Sequence, residues 1–241
     1  MSDRLPVTGR WAVPGLLLLT FATGLVDAFC YLQLGRAFVG NMTGNVLLLG
    51  FSVAPGSGLS VAGPLVAIAA FVTGSLLGGR IGRAGADTGA GRRWPGATFA
   101  GEAVVFTALA ALLGSGLLGT RGVPRYVLIA VLAVCLGTQT AVVRIMGARD
   151  LTTTVITQAL AGFAAGSAVG QGTGASQLRK AASVLTMLAG AIAGALLLRV
   201  TTAGVVGLAA ALTTVAAGCF LLGPPPRTRN EKEATGAAAR P

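Results

Sequence analysis

The sequence predicts an all-α fold: a polytopic transmembrane helical bundle of eight helices in two homologous halves, with six full spans and two short helices that re-enter the membrane or are broken. Hydrophobic residues make up 54% of the chain and charged residues only 10%, whereas soluble domains carry about 25% charged residues. The apolar residues form continuous runs rather than the alternating pattern of a membrane barrel. Similar polar motifs recur in both halves, which predicts the repeat.

The helices are predicted from eight apolar runs, because a spanning helix needs about 20 predominantly apolar residues. Phe38–Ala54 is short and contains Asn41, Thr43 and Asn45, and Thr152–Gly170 opens with several threonines. Each of these two runs could cross the membrane, re-enter it or form a broken helix. The eight runs are Trp11–Leu34, Phe38–Ala54, Val61–Gly82, Ala97–Leu118, Tyr126–Met146, Thr152–Gly170, Ala181–Leu198 and Ala203–Leu222.

The distribution of positive charge favours six spans over eight, because cytoplasmic loops are enriched in Lys and Arg. If all eight runs cross, the basic residues divide almost evenly between the two sides. If the second and sixth runs return to the side they came from, only Arg36, Arg121, Arg125 and Arg199 of the 18 basic residues lie outside. The six-span topology has both termini in the cytoplasm.

This topology divides the chain into four segments in the bacterial plasma (inner) membrane. We expect a cytoplasmic tail at residues 1–10, a first membrane repeat at 11–119, a second membrane repeat at 120–222 and a disordered cytoplasmic tail at 223–241. The net charge of +11 does not indicate nucleic-acid binding, because the basic residues flank apolar runs instead of forming a face. The predicted partners are the lipid bilayer and a small-molecule solute, and a homo-oligomer is left open.

The internal repeat is predicted from two aligned segments, Gly24-Leu-Val-Asp-Ala28 and Gly137-Thr-Gln-Thr-Ala141. Each half then continues with a glycine loop and a short helix that opens with an i, i+4 polar pair. Three spans in each half would make the repeats inverted, a recurrent plan among transporters, whereas four would make them parallel. The aligned polar pairs are Asn41 with Thr153 and Asn45 with Thr157.

Asp27 is the most informative polar residue, because a charged side chain at the centre of a spanning helix costs about 2.5–3.5 kcal/mol on insertion scales. It lies on one stripe with Thr20, Thr23, Gly24 and Tyr31. One hypothesis makes Asp27 a proton or cation site, or a substrate contact. The alternative makes it structural, paired with an arginine or hydrogen-bonded to the short second helix.

The candidate substrate- or ion-binding site combines this aspartate with the polar residues of the aligned segments. Buried amides in lipid need partners, so these residues either line a site or bond to neighbouring spans. Arg144 lies near its helix end, where snorkelling to the membrane surface is favoured over an ion pair with Asp150 or Asp27. Asp150 fits the N-cap of the helix that follows it. The candidate site residues are Asp27, Tyr31, Asn41, Thr43, Asn45, Gln139, Thr140, Thr153 and Thr157.

No catalytic centre, metal site or cofactor is predicted, and we do not expect an enzyme. Histidine is absent, and the three cysteines lie far apart within apolar runs, where they are expected to be buried hydrophobes. Glu102 lies near the start of its run and is expected to cap its helix rather than to face a polar interior. Glycines at four-residue spacing, such as Gly74 with Gly78 and Gly190 with Gly194, predict close packing of helices within the chain.

These motifs resemble the signatures of the YoaK-like family of bacterial membrane proteins. The first is Gly24-Leu-Val-Asp27-Ala28 followed by Phe38-Val-Gly-Asn41-Met42-Thr43-Gly44-Asn45, and the second is Gly137-Thr-Gln139-Thr140-Ala141 with the segment from Asp150 to Thr157. The family usually has Gln-Asn-Ala where this chain has Thr140 in the middle position, so a role that needs an amide there is in doubt. The resemblance implies residence in a membrane and the helical fold, but no reaction.

The leading hypothesis for function is a transporter- or permease-like protein for a small solute, with a polar site near the midplane where the two halves meet. It depends on the repeat, the paired polar short helices and Asp27. A scaffold or assembly factor that transports nothing is the alternative. A membrane enzyme is disfavoured, because intramembrane carboxylates are scarce and no nucleophile–base pair is evident.

Overall fold

The computed structural model describes residues 11–87, 93–146 and 174–222. These residues form helices and connecting turns without any strand, so the predicted all-α class is confirmed for this part of the chain. The predicted run Thr152–Gly170 lies outside the described residues. The described ranges contain seven helices: α1 (Ala12–Gln33), α2 (Met42–Ser52), α3 (Ala62–Asp87), α4 (Arg93–Gly114), α5 (Val123–Ile145), α6 (Gly174–Leu197) and α7 (Thr202–Leu221).

Five of the described helices, α1, α3, α4, α5 and α7, are long and apolar enough to cross a membrane. In α6 the apolar stretch Ala181–Leu197 is shorter. Large apolar side chains of α6 nevertheless stay exposed at helical spacing, at Leu185, Leu188, Ile192 and Leu196. Lipid solvates such a surface and water does not. The chain is therefore a multi-pass membrane protein.

The end of α1 and the start of α3 lie at the same end of the bundle. Gly63, in the first turn of α3, packs beside Ala37 and the carbonyl oxygen of Gly35. Gly35 ends α1 with a positive φ of 109°, which glycine adopts without steric strain, and Arg36 follows with a φ of 59°. The segment between α1 and α3 therefore leaves this end of the bundle and returns to it.

The middle of that segment lies inside the bundle. Gly40 packs against Thr23, three helical turns before the end of α1, and α2 then leads from Met42 back outwards. With 11 residues, α2 is about 16 Å long at 1.5 Å per residue, too short for a hydrocarbon core of about 30 Å. The second apolar run is thus a short helix that begins inside the bundle.

Helices α3 and α5 pack with their backbones in contact. A Cβ atom at Gly74 would overlap the carbonyl oxygen of Val134, and one at Gly137 would overlap the carbonyl oxygen of Phe71. The hydroxyl of Thr138 also donates to the carbonyl oxygen of Gly74 at 3.0 Å. Only glycine permits this approach, so the prediction of close packing through small residues is confirmed.

Helices α1 and α6 pack in the same manner. A Cβ atom at Gly24 would overlap the carbonyl oxygen of Met187, and one at Gly190 would overlap the carbonyl oxygen of Phe21. Gly194 lies one turn further along, beside Leu25. Because α1 and α6 are far apart in sequence, these contacts join distant parts of the chain.

Helix α4 packs against α7 in the opposite direction. Gly96 near the start of α4 lies against Leu221 at the end of α7, and Gly114 at the end of α4 lies beside Ala203 at the start of α7. The two helices are therefore antiparallel. By the same test α3 and α5 run parallel, since Gly63 lies near Ile129 and Gly82 near Ile145.

The position of Glu102 contradicts one prediction. It was expected to cap its helix, but α4 begins at Arg93, so Glu102 lies in the middle of the helix and is only 6% exposed. The apolar run begins at Ala97, whereas the helix starts earlier because Trp94 and Pro95 are buried in its first turn. The carboxyl group therefore lies within the bundle.

Candidate functional site

Asp27 fastens the segment before α2 to α1. One carboxylate oxygen, Oδ1, accepts hydrogen bonds from the backbone N–H of Val39 at 2.7 Å and from that of Gly40 at 2.8 Å. The residue is 4% exposed, and no group in the described part of the chain bonds to Oδ2. Asp27 thus provides the acceptor that two amides buried inside the bundle require.

Asn45 holds the same segment from the other side. Its Nδ2 donates to the carbonyl oxygen of Phe38 at 2.6 Å, and its Oδ1 accepts from the N–H of Phe38 at 2.8 Å. The side chain is fully buried. An amide is the only ordinary side chain that offers one donor and one acceptor in this arrangement, so Asn45 locks the turn in front of α2.

The first turn of α2 is capped by Asn41, whose side chain accepts from the N–H of Gly44 at 3.3 Å. Thr43 lies in the same turn and is exposed. Tyr31 stacks on Phe38 with ring centroids 4.9 Å apart. Tyr31 therefore packs on the re-entering segment rather than beside Asn41 and Thr43.

A cavity of about 450 Å³ opens at the start of α2, between this helix, α3 and α5. Its polar groups are the side chains of Asn41, Thr43, Ser75, Thr140 and Arg144. Arg144 is exposed, and the positive end of the α2 dipole lies at the same cavity. The lining residues are Gly40, Asn41, Met42, Thr43, Phe71, Ser75, Thr140, Ala141 and Arg144.

A second cluster of polar side chains lies in the interior of the bundle and links α1, α4 and α5. One terminal atom of the Gln139 amide lies 2.9 Å from Oε1 and 3.0 Å from Oε2 of Glu102. The other terminal atom lies 3.5 Å from the hydroxyl oxygen of Thr23. That hydroxyl donates to the carbonyl oxygen of Leu19 at 2.9 Å. All three polar side chains are buried.

The candidate residues therefore separate into groups. Asn41, Thr43, Thr140 and Arg144 meet at the cavity, whereas Asp27 and Asn45 hold the backbone behind it. Gln139 bonds to Glu102 instead. The remaining candidates, Thr153, Thr157 and Asp150, lie outside the described residues, and with them the predicted ion pair of Arg144 with Asp150.

Three polar residues of these groups, Ser75, Glu102 and Thr23, were not among the candidates. Ser75 follows Gly74 in α3, and its hydroxyl donates to the carbonyl oxygen of Gly137 at 3.3 Å. Ser75 could have been recognised in the sequence because it lies next to Gly74, one of the glycines whose four-residue spacing predicts close packing of helices. Glu102 could have been found because a carboxylate inside an apolar run needs a polar partner.

Neither group resembles a metal centre. In residues 11–87, 93–146 and 174–222, no three His, Cys, Asp or Glu side chains come together as ligands. The cavity offers hydroxyls, the amide of Asn41 and one guanidinium, which suit a solute that accepts hydrogen bonds.

Comparison with known proteins agrees with the membrane architecture. The "UPF0700 transmembrane protein YoaK" of Bacillus subtilis (strain 168) is 31% identical over 147 residues, which cover 61% of this chain and 63% of that protein. The match thus spans less than two thirds of the relative's length. No solved structure shows significant similarity.

The sequence profile of one family covers nearly all of the membrane-embedded chain. The family is described as "Protein of unknown function (DUF1275)", and its profile matches residues 15–219. This match includes the re-entering segment, the cavity and the Glu102–Gln139 pair, and it agrees with the resemblance seen in the sequence. The chain therefore belongs to the DUF1275 family of membrane proteins.

Proposed function

We propose that the protein is a transporter- or permease-like membrane protein that binds and moves a small solute. The observation that carries the proposal is the cavity of about 450 Å³ at the start of α2. Five of its nine lining residues have polar side chains, and it lies where a short helix begins inside the bundle. Irregular backbone within a membrane is tolerated where it is buried in protein or lines a cavity. The proposal includes no catalytic step.

The proposed topology has six spans and cytoplasmic termini. Arg125, at the start of α5, lies beside Gly35 at the end of α1, which supports a shared side for Arg36 and Arg125. At the opposite end, Trp94 of α4 packs against Gly85 of α3, near the basic residues assigned to the cytoplasm. The positive-inside rule then orients the bundle.

The proposal includes two inverted halves, and the helix contacts support it. The contacts between α1 and α6 involve positions that correspond to those in the contacts between α5 and α3. The sequence offset that aligns Gly24 with Gly137 also aligns Phe21 with Val134. One common offset likewise relates Phe71 to Met187 and Gly74 to Gly190. The matched contacts are Gly24 with Met187 and Gly137 with Phe71, then Gly190 with Phe21 and Gly74 with Val134.

The directions of the helices support inversion rather than a parallel repeat. In a three-span repeat, α4 and α7 are the equivalent third spans, and they run antiparallel. Inverted repeats with a broken or short helix near the midplane are a recurrent plan of secondary transporters. The cavity would then lie near the interface of the halves, since α3 belongs to the first and α5 to the second.

The chemistry of the cavity favours a solute with an acidic group. Arg144 is its only charged lining residue among those described, and the N-terminal end of α2 adds a positive potential. The hydroxyl of Thr140 can donate to the same group. An anion of a few heavy atoms fits the available volume.

A thermal-shift screen of the purified protein tests the proposal. The panel contains small carboxylates, phosphate, sulfate and chloride, together with neutral and cationic solutes of similar size. We expect one acidic solute to raise Tm in the wild type. We expect Arg144→Gln to weaken the binding of that solute by about tenfold, as the loss of a charged hydrogen bond does. Arg80→Gln, an exposed arginine of α3 outside the cavity, is the matched control and should behave as wild type.

Flux measurements in liposomes then distinguish transport from binding alone. The solute that shifts Tm should enter vesicles that contain wild-type protein and should enter more slowly with Arg144→Gln. Absence of any shift and any flux, together with one protein that co-purifies in fixed ratio, would instead support the scaffold alternative.

A further inference from the structure

A groove runs along the surface of the bundle between α4 and α7. Its volume is about 630 Å³, and most of its lining residues are alanine, glycine or threonine. Along α4 the groove extends from Ala100 to Ala111, which is about 16 Å at 1.5 Å per residue. This length is about half of a hydrocarbon core of about 30 Å. The groove is therefore about as long as one leaflet of a bilayer is thick.

The two hydroxyl groups in the groove are already used within their own helices. The hydroxyl of Thr107 donates to the carbonyl oxygen of Ala103, and that of Thr214 donates to the carbonyl oxygen of Ala210, both at 2.8 Å. Neither hydroxyl has a proton left for a ligand. The other lining residues have apolar side chains or, at Gly218, none. The groove therefore suits a hydrocarbon chain rather than a polar solute.

The groove is concave because its residues are small, whereas α3 exposes large apolar side chains such as Leu65 and Leu76. Nothing lies within 4 Å of a Cβ atom built at Gly218. The glycines of the close helix contacts differ, since a Cβ atom at Gly74 or Gly137 would overlap a carbonyl oxygen of the neighbouring helix. The described part of the chain thus leaves the space in front of Gly218 unfilled.

The width of the groove favours a lipid chain over a helix from a second copy of the protein. A volume of about 630 Å³ over a length of about 16 Å gives a mean width of about 7 Å, whereas an α-helix with its side chains is about 10–12 Å across. An extended hydrocarbon chain is thinner than a helix and can lie along such a groove.

One end of the groove is positively charged. Arg93 is the first residue of α4 and is exposed, and Ala100 lies seven residues later, on the same face of the helix. The N-terminal end of the α4 dipole adds a positive potential, and the first turn of α4 contains no acidic residue. Leu221, which lines the groove from α7, lies at this same end, against Gly96.

We propose that the groove between α4 and α7 binds an anionic phospholipid, with one acyl chain along the groove and the phosphate at Arg93 and the start of α4. Positive charge at the membrane surface selects anionic headgroups over zwitterionic ones. The binding forms no covalent bond. Because α2, α3 and α5 form the polar cavity and other helices form the groove, the lipid site does not rest on the proposed transport.

Titration of lipid into the delipidated full-length protein, followed by native mass spectrometry, tests the site. The probes are dioleoyl phosphatidylglycerol, which is anionic, and dioleoyl phosphatidylcholine, which has the same chains and a zwitterionic headgroup. We expect one molecule of phosphatidylglycerol to bind, and we expect phosphatidylcholine to bind about tenfold more weakly, because it lacks the net charge that Arg93 attracts. Equal affinity for the two lipids would overturn the proposal.

Two matched pairs of variants locate the bound lipid. Gly218→Leu fills the groove and should abolish binding of phosphatidylglycerol. Gly101→Leu is its control, because Gly101 also has nothing within 4 Å but lies on α4 outside the groove. Arg93→Gln should weaken binding of phosphatidylglycerol by about tenfold and leave phosphatidylcholine unchanged. Arg80→Gln, an exposed arginine of α3, should change neither.

Measurement of Tm in lipid-free detergent identifies a variant that does not fold, and Ala108→Leu fills the groove from α4 if Gly218→Leu is such a variant. Wild-type affinity for phosphatidylglycerol in a folded variant with a filled groove would overturn the proposal. A wild-type dimer that binds no lipid and that Gly218→Leu converts to a monomer would also overturn it, because the groove would then hold a second copy of the chain.

Discussion

The side chain of Asn45 forms two hydrogen bonds with the backbone of Phe38, one to the carbonyl oxygen at 2.6 Å and one from the N–H at 2.8 Å. These bonds close the turn that leads the chain into α2 inside the bundle. Asp27 holds the next two residues from the opposite side. The position of the cavity therefore depends on two side chains that do not line it.

Asn45→Ala is expected to lower the stability of the protein by about 2–4 kcal/mol, because it leaves the part-buried N–H and carbonyl oxygen of Phe38 without these partners. The measurement is Tm in detergent for wild type and variant. Asn41→Ala is the matched control: this exposed cap residue makes one long bond, and its loss should cost about 1 kcal/mol. Equal losses of Tm would show that Asn45 does not hold the turn.

Asp27→Asn and Asp27→Ala are expected to separate structure from charge. An asparagine retains an Oδ1 acceptor for Val39 and Gly40, so the Tm of this variant should remain close to the wild-type value. Alanine leaves both backbone amides without an acceptor and should lower stability by about 2–3 kcal/mol. If Asp27 also couples solute movement to a cation or proton, Asp27→Asn will abolish flux in liposomes while the protein stays folded. Wild-type flux in that variant would exclude the coupling role.

Gly40→Ala is expected to displace the re-entering segment. A Cβ atom there would lie 2.5 Å from Cγ2 of Thr23 and 3.2 Å from Oδ2 of Asp27, so either the loop or α1 must move. The expected result is a lower Tm and loss of solute binding. Gly79→Ala is the control, because nothing lies within 4 Å of that position, and it should leave Tm unchanged or raise it through better helix propensity. Similar behaviour of the two variants would contradict the close packing at Gly40.

Gly74→Ala and Gly190→Ala are expected to have similar effects if the chain consists of two equivalent halves. Each substitution would push a Cβ atom into a carbonyl oxygen of the partner helix, Val134 for the first and Phe21 for the second. Both should lower Tm, while Gly218→Ala, with nothing within 4 Å, should not. A loss confined to one of the two glycines would argue against equivalent contacts.

Cysteine labelling in intact cells tests the topology. In a background where Cys30, Cys135 and Cys219 are replaced by alanine, a cysteine at Ser57, in the turn after α2, should react with an impermeant reagent added outside. A cysteine at Arg83, near the end of α3, should react only after the membrane is opened. The reverse pattern would invert the proposed orientation, and labelling of both positions from outside would exclude it.

The helices could be predicted well because a membrane span requires a long continuous run of apolar residues, and such a run can be read directly from the sequence. The run that contains Asn41 and Asn45 was correctly marked as unusual, since amides in an apolar run demand partners. Glycine spacing predicted close helix contacts, and the contacts at Gly74 and Gly190 confirm it.

The partners of individual polar side chains could not be predicted, because they depend on how distant helices meet. Glu102 was expected to cap α4, yet it bonds to Gln139 from another helix. Gln139 was assigned to the candidate site through its alignment with the segment around Asp27, but neighbouring residues of a helix point in different directions, and Thr140 lines the cavity while Gln139 does not.

The contact between Gly24 and Gly190 has a consequence for the biogenesis of the protein. α1 leaves the ribosome before the helix against which its backbone packs, because that helix begins only at Gly174. Until α6 has been synthesised, the glycine face of α1 therefore lacks the backbone contacts that it makes in the folded protein. Insertion of the first helix and completion of the bundle are thus separate events in time, and a nascent chain stalled before α6 would keep its first helix without its partner.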